Sequence, residues 1–216
     1  MRIDIISVIP EILHGPFSHA IIKKAINKGI LEIYIHNLRK YGLGHRKKID
    51  DYPYGGEGGM VLRIEPVYQC FHQLFSERDY DETIFMTPDG KLFSQKYAEY
   101  LTEKKNIIIL CGRYKGIDQR IRDHLITQEI SIGPYVLSGG ELASAVVVES
   151  ISRLLPGVLN NPDSMETDSF QRKNLAANPI YTRPFIYKGW SVPKILLSGH
   201  HKKIKEWLYK KSIKKK

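Results

Sequence analysis

The sequence predicts an α/β domain built on a mainly parallel sheet, followed by a small basic helical piece. Three observations predict it. Strand-like apolar runs alternate with helical patterns across the first 159 residues, several of those runs end directly in glycine-bearing loops, and charge is divided sharply along the chain. With 216 residues, 42% hydrophobic and 26% charged, the chain has an ordinary globular composition, which excludes disorder for most of its length. The longest apolar runs, such as Ile107 to Cys111, fall far short of the roughly 18 residues that span a bilayer. Met1-Arg2-Ile3-Asp4 opens neither a basic segment nor an apolar leader, so a cytoplasmic protein with no membrane partner is expected. Cys70 and Cys111 are too few for a disulfide framework or a zinc site and read as two small buried thiols.

Each element has its own signal. The run Ile3 to Ile9, stopped by Pro10, reads as a buried strand, and Leu31–His36, Thr83–Thr87, Asn106–Cys111 and Glu129–Ile132 read likewise. Helical periodicity lies between them, at Phe17–Asn27, Pro66–Phe75, Ser94–Thr102 and Ile117–Leu125. A longer helix, Glu141–Leu155, is entered through Gly139-Gly140 and closed by Pro156-Gly157. The stretch Val158 to Thr167, rich in Asn, Pro, Asp and Ser, marks a linker, so we divide the chain into residues 1–159, a linker over 160–171 and a C-terminal domain over 172–216. A short helix starting near Asp168, an irregular proline-bearing stretch and a basic helix from about His201 are expected beyond the first boundary.

From Asn160 onward there are thirteen Lys and Arg against four Asp and Glu, which leaves twenty against nineteen before it. A nearly neutral domain therefore carries a strongly basic piece, as expected for a polyanion partner whose phosphates shed counterions on binding. A solvated tail at Lys214-Lys215-Lys216 accounts equally for the last charges.

Ligands of open parallel sheets settle beyond the carboxyl ends of the strands. Those ends read Thr87-Pro88-Asp89-Gly90, Cys111-Gly112-Arg113-Tyr114 and Ile132-Gly133-Pro134-Tyr135-Val136-Leu137-Ser138-Gly139-Gly140. Any one of these glycines could simply make a turn. Three such loops on one sheet point to a small-molecule pocket. The dinucleotide and P-loop glycine patterns are missing, HExxH is missing, and no serine or cysteine stands in a nucleophile elbow. Taken alone, the residues lead to an α/β domain with a loop-built pocket and a basic end facing RNA or DNA.

The stretches IISVIPE, IDDYPYGGEGGM, CGRYKGID, SIGPYVLSGGELA, SRLLPGVL, TDSF and YTRP, in this order and spacing, closely resemble the bacterial tRNA (guanine-N1)-methyltransferases of the TrmD family. The resemblance runs from Arg2 to about Trp207. It implies a SPOUT-type fold with a deep trefoil knot, S-adenosylmethionine as cofactor, tRNA as substrate and an obligate homodimer with shared sites. By resemblance, Met86, Thr87, Pro88, Gly112, Arg113, Tyr114, Ile132, Gly133, Pro134, Tyr135, Val136, Leu137, Gly139 and Gly140 form the cofactor pocket.

The reaction so implied methylates N1 of guanosine 37. Asp168 matches the general base and Arg153 the cation that stabilises charge on O6; without the family they would read as a helix N-cap and a solvated helix residue. Arg46, Lys47, Asp50 and Gly59 are expected near the anticodon stem and target base, and Lys202 and Lys203 on backbone further along. Lys115 stands where the family often has an acidic residue. Lysine cannot ligate a cation, so the resemblance leaves Mg2+ open as a second cofactor. Pro134 stands in place of a common aspartate, Glu57 interrupts a glycine run, and the C-terminal domain is shorter than usual.

Overall fold

The computed structural model describes residues 1–159 and 178–212. Two compact units are present, Met1–Leu159 and Asn160–Lys216. The expected linker, the helix near Asp168, Asp168 itself and the terminal Lys214 to Lys216 lie outside the described residues.

The first unit is a five-stranded parallel sheet. Its strands are β1 (Arg2–Ser7), β2 (Glu32–Asn37), β5 (Glu82–Leu92), β6 (Asn106–Cys111) and β7 (Gln128–Ser131), in the order β2-β1-β6-β5-β7. A separate two-residue pair, β3 (Asp50–Asp51) and β4 (Val61–Leu62), runs antiparallel. Helices α1 (Glu11–Phe17), α2 (Ala20–Asn27), α4 (Gln95–Thr102) and α6 (Glu141–Ser152) send Leu13, Phe17, Ile22, Leu101, Val147 and Ile151 onto one face. Helices α3 (Ile64–Glu77) and α5 (Gln119–Leu125) send Phe71, Leu74 and Ile121 onto the other.

Successive strand residues point to opposite faces. Ile107, Ile109 and Cys111 of β6 therefore join the first core and Ile108 and Leu110 the second. Burial on both faces is why these strands read as unbroken apolar runs rather than as alternation. The one acidic residue of β1, Asp4, is fully buried and satisfied by Arg2, by His36 Nε2 at 2.7 Å and by the Tyr80 hydroxyl at 2.9 Å.

Several boundaries differ from expectation for visible reasons. The helix expected over Phe17–Asn27 begins only at Ala20, as α2, and Phe17 instead ends a separate helix, α1, with the break at Ser18-His19. Pro16 lies inside the last turn of α1, where Ser18 Oγ donates to Gly15 O at 3.0 Å, and Ala20 adopts a left-handed φ of 52°. The strand expected to stop at Thr87 continues to Leu92, because Met86 and Lys91 both lie opposite Ile130 and residues 87–90 bulge out between them. Helix α6 ends at Ser152 and passes into turns rather than reaching Leu155. Asp118 and Ser94 cap α5 and α4, each accepting a backbone N–H, at 3.0 Å from Arg120 and 3.3 Å from Tyr97.

In the second unit, the stretch expected to be irregular contains a small hairpin. Its strands are β8 (Ile186–Tyr187) and β9 (Trp190–Ser191). Lys188 and Gly189 both take positive φ, 49° and 82°, as a tight hairpin turn of this hand requires. A helix, α7 (His201–Ser212), follows, half-burying Ile204, Trp207 and Leu208 along one stripe while Lys202, Lys203 and Lys205 are exposed.

Candidate functional site

The bulge after Met86, the turn after β6 and the segment between β7 and α6 all emerge at the carboxyl edge of three adjacent strands, and together they wall one cleft. It encloses about 690 Å³ of empty space, part of it open to solvent. Thirteen of the fourteen residues named from sequence for the cofactor line it: Met86, Thr87, Pro88, Gly112, Arg113, Tyr114, Ile132, Gly133, Tyr135, Val136, Leu137, Gly139 and Gly140. Pro134 does not. It is exposed, between the buried Gly133 and the Tyr135 ring.

The walls are rigid for identifiable reasons. Thr87 Oγ1 donates to the Asp89 carboxylate, and Arg122 reaches across from α5 to donate to Asp89 Oδ2 at 2.8 Å and to Glu129 Oε1 at 2.8 Å. Those bonds, Thr87 first and Arg122 second, hold the Asp89 carboxyl below its ordinary pKa. Ser131 Oγ accepts the Gly133 N–H at 3.2 Å and donates to Gly133 O at 2.9 Å, which closes the turn into the third wall. The Gly140 N–H donates to Gly112 O at 2.8 Å, tying the third wall to the second. A Cβ on Gly140 would lie 2.8 Å from Gly112 N and 2.9 Å from Cys111 Cα, so only glycine permits this approach. Tyr114 takes a left-handed φ of 59°, uncommon for a residue with a side chain and typical of a site that dictates its own backbone.

Two cations line the cleft. Lys115 Nζ sits 2.9 Å from Glu57 Oε2, and both side chains are solvated. Arg113 is held deeper, with Nη1 3.7 Å from Oε2 of Glu141, a carboxylate only 1% exposed whose other oxygen accepts from Ser7 Oγ at 2.8 Å. Burial first, then the Glu141 carboxylate, pushes the Cys111 thiol pKa up, so this cysteine is an inert thiol rather than a nucleophile.

The other sequence-named residues are dispersed. Arg153 is the C-cap of α6, about 18 Å along the helix axis from the cleft end at Glu141. Asp50 is half-buried on β3, opposite Leu62. Gly59, with φ 100°, lies against the Lys115 side chain, while Arg46 and Lys47 are exposed in the turn before Ile49. Among the described residues no group of three or more His, Cys, Asp or Glu could hold a metal ion, and no helix is long and apolar enough to cross a membrane.

The sequence pattern of the tRNA (Guanine-1)-methyltransferase TrmD family matches residues 1–216. The chain belongs to the TrmD family. Relatives agree with that placement. A Bacteroides fragilis protein named tRNA (guanine-N(1)-)-methyltransferase is 58% identical over 213 residues, 99% of this chain and 94% of the relative. A Christiangramia forsetii protein of the same name is 59% identical over 207 residues, covering 96% and 91%. Among solved structures, the tRNA (m1G37) methyltransferase from Aquifex aeolicus superposes with a TM-score of 0.82 at 37% identity, over 98% of this chain and 89% of that one.

Other pocket residues of this TrmD-family chain escaped the reading of its sequence. Phe85, Ile130 and Ala143 look like ordinary core positions, and they are core positions whose edges also face the cleft. Glu141 is the first residue of α6, where an acid suits the helix dipole, so its burial against Arg113 left no mark on the sequence.

Proposed function

We propose that this chain transfers a methyl group from S-adenosylmethionine to N1 of guanosine 37 in tRNA, as a cytoplasmic homodimer. The observation that carries the reading is the single cleft formed by three strand-end loops in a chain of this family. The residues present fit the cofactor. The inner wall is apolar, with Met86, Ile130 and Ala143, the mouth carries Tyr135, Val136 and Leu137, and the hydrogen bond from Gly140 to Gly112 holds two of the walls together. When bound, S-adenosylmethionine supplies a methyl group already activated on a sulfonium.

The chain's own residues supply alignment, proton removal and charge stabilisation. Guanine N1 carries a proton and is a poor nucleophile. Asp168 accepts that proton, a contribution of ~10²–10⁴-fold for a positioned base. As the proton leaves, negative charge spreads to O6, where the Arg153 guanidinium stabilises it. Mg2+ does not fit this rim, because Lys115 already neutralises the neighbouring Glu57 carboxylate, and no step is routed through a metal.

Arg153 lies a helix length from its own cleft, and this supports a site completed by a second copy. Leu142, Val146 and Arg153 fall on one stripe of α6, and Leu142 and Val146 are 55% and 47% exposed. The trefoil knot is carried over from the family, and the Gly140 to Gly112 hydrogen bond brings together the two loops that lead into α6 and out of β6. The basic helix α7, with Lys202 and Lys203, and the turn at Arg46 and Lys47 would grip phosphates, with Asp50 and Gly59 near the target base.

The test is product mapping by mass spectrometry on tRNA transcripts carrying G37 or a substitute. 1-Methylguanosine at position 37 alone is expected, and methylation elsewhere would overturn the assignment. Asp168→Asn should abolish methylation with cofactor binding retained, whereas Arg153→Ala should lower the rate by more than it weakens tRNA binding. Ordinary turnover by Asp168→Asn would remove that residue as the base.

A further inference from the structure

Glu141 is a buried charge to which the proposed reaction gives no task. It sits at the start of α6, behind the cleft, with one oxygen bonded to Ser7 and the other turned toward Arg113. The neighbouring glycine is shaped around this pair. A Cβ on Gly139 would lie 2.3 Å from Glu141 Oε2 and 2.8 Å from Arg113 Nη1, so the space that position 139 leaves empty is filled by the two charged groups. Gly139 has no positive φ, and its need for glycine is therefore one of room. A carboxylate taken this far out of water is retained only where a partner compensates it.

Arg113 lines the cleft with its side chain 23% exposed. Left alone, its guanidinium would raise the positive potential of a partly desolvated pocket, where charge interactions are several times stronger than in water. Such a pocket would repel a cationic ligand. S-Adenosylmethionine differs from its product, S-adenosylhomocysteine, by one methyl group and one formal positive charge at sulfur.

We infer that Glu141 is a specificity-determining counter-charge: by neutralising Arg113 inside the wall, it lets the cleft accept a sulfonium donor in competition with the neutral thioether product. This rests on the cofactor assignment made above. Glu141 acts through Arg113, as a positioning and charge-balancing residue, and touches no reacting atom.

Calorimetric titration of the full-length protein with each ligand separately, without tRNA, tests it. Glu141→Gln keeps the shape and an acceptor for Ser7 but removes the charge. It should weaken S-adenosylmethionine binding about tenfold more than S-adenosylhomocysteine binding. Arg113→Gln should move the ratio in the opposite direction, toward the sulfonium, and the double variant should return it to the starting value. Equal weakening of both ligands, or a double variant no better than Glu141→Gln, would reduce Glu141 to a structural residue and overturn the inference. If Glu141→Gln does not fold, as judged by circular dichroism, Arg113→Gln decides alone, and an unchanged ratio there overturns the inference too. Should the unaltered protein bind neither ligand, the cofactor assignment itself fails, an outcome distinct from all of these.

Discussion

At the scale of single residues, the most consequential side chain away from the cleft is Asp4. Burial alone would raise its pKa. Hydrogen bonds from His36, Arg2 and Tyr80 outweigh that and bring it from 3.8 down to about 2. The fold thus favours the ionised carboxyl. The stability it contributes is complete above pH ~4 and is lost as pH falls toward 2, a difference of about 2 kcal/mol. Asp4→Asn should therefore cost most near neutrality, and its deficit against the unaltered protein should shrink by about that amount at pH 2. Urea unfolding followed at pH 7, 4 and 2 measures this. A deficit independent of pH would mean that Asp4 contributes shape rather than charge.

At the scale of elements, α6 links the cleft to the rest of the proposed machinery. One end carries Gly140 and Glu141 at the cleft, the middle packs Val147, Val148 and Ile151 into the core, and the other end carries Arg153. Its outward stripe holds Leu142 and Val146, which a second copy is proposed to cover. Val146→Glu leaves the core untouched and should weaken self-association at least about tenfold, because a carboxylate would be buried in an apolar contact. Sedimentation equilibrium would register it, and methylation should fall with it. A dimer of undiminished strength would direct attention to another face. The two ends of α6 were not equally legible in the sequence. Gly139-Gly140 announces a close approach, and the glycine-bearing strand ends marked the cleft walls, because backbone proximity demands residues without side chains. Arg153 reads as any solvated helix residue, and nothing in periodicity tells which charges face a partner. The same limit hid α1, whose Gly15 and Pro16 disguise a helix that tertiary packing of Leu13 and Phe17 sustains. It also hid the bulge at residues 87–90, which depends on a pairing with β7 some forty positions away.

At the scale of the whole molecule, charge is partitioned between two units. The first is close to neutral overall, while the second holds nine of the ten net positive charges. Its helix α7 exposes Lys202, Lys203, Lys205, Lys210 and Lys211 around a half-buried stripe of Ile204, Trp207 and Leu208. Lysines disposed this way can neutralise phosphates without reading bases, so they should supply affinity and orientation while sequence discrimination resides at the cleft. Each phosphate contact steepens the fall of log K with log salt by roughly 0.7–0.9. Replacing Lys202 and Lys203 together by alanine should therefore lower that slope by roughly 1.5, weaken binding of different tRNAs to a similar degree and leave S-adenosylmethionine affinity unchanged. Filter binding across 50–300 mM salt, a range that brackets physiological ionic strength at roughly 150 mM, measures the slope directly. If the double variant keeps the slope of the unaltered protein, α7 does not touch the phosphates, and the excess charge of the second unit belongs to its solvated surface.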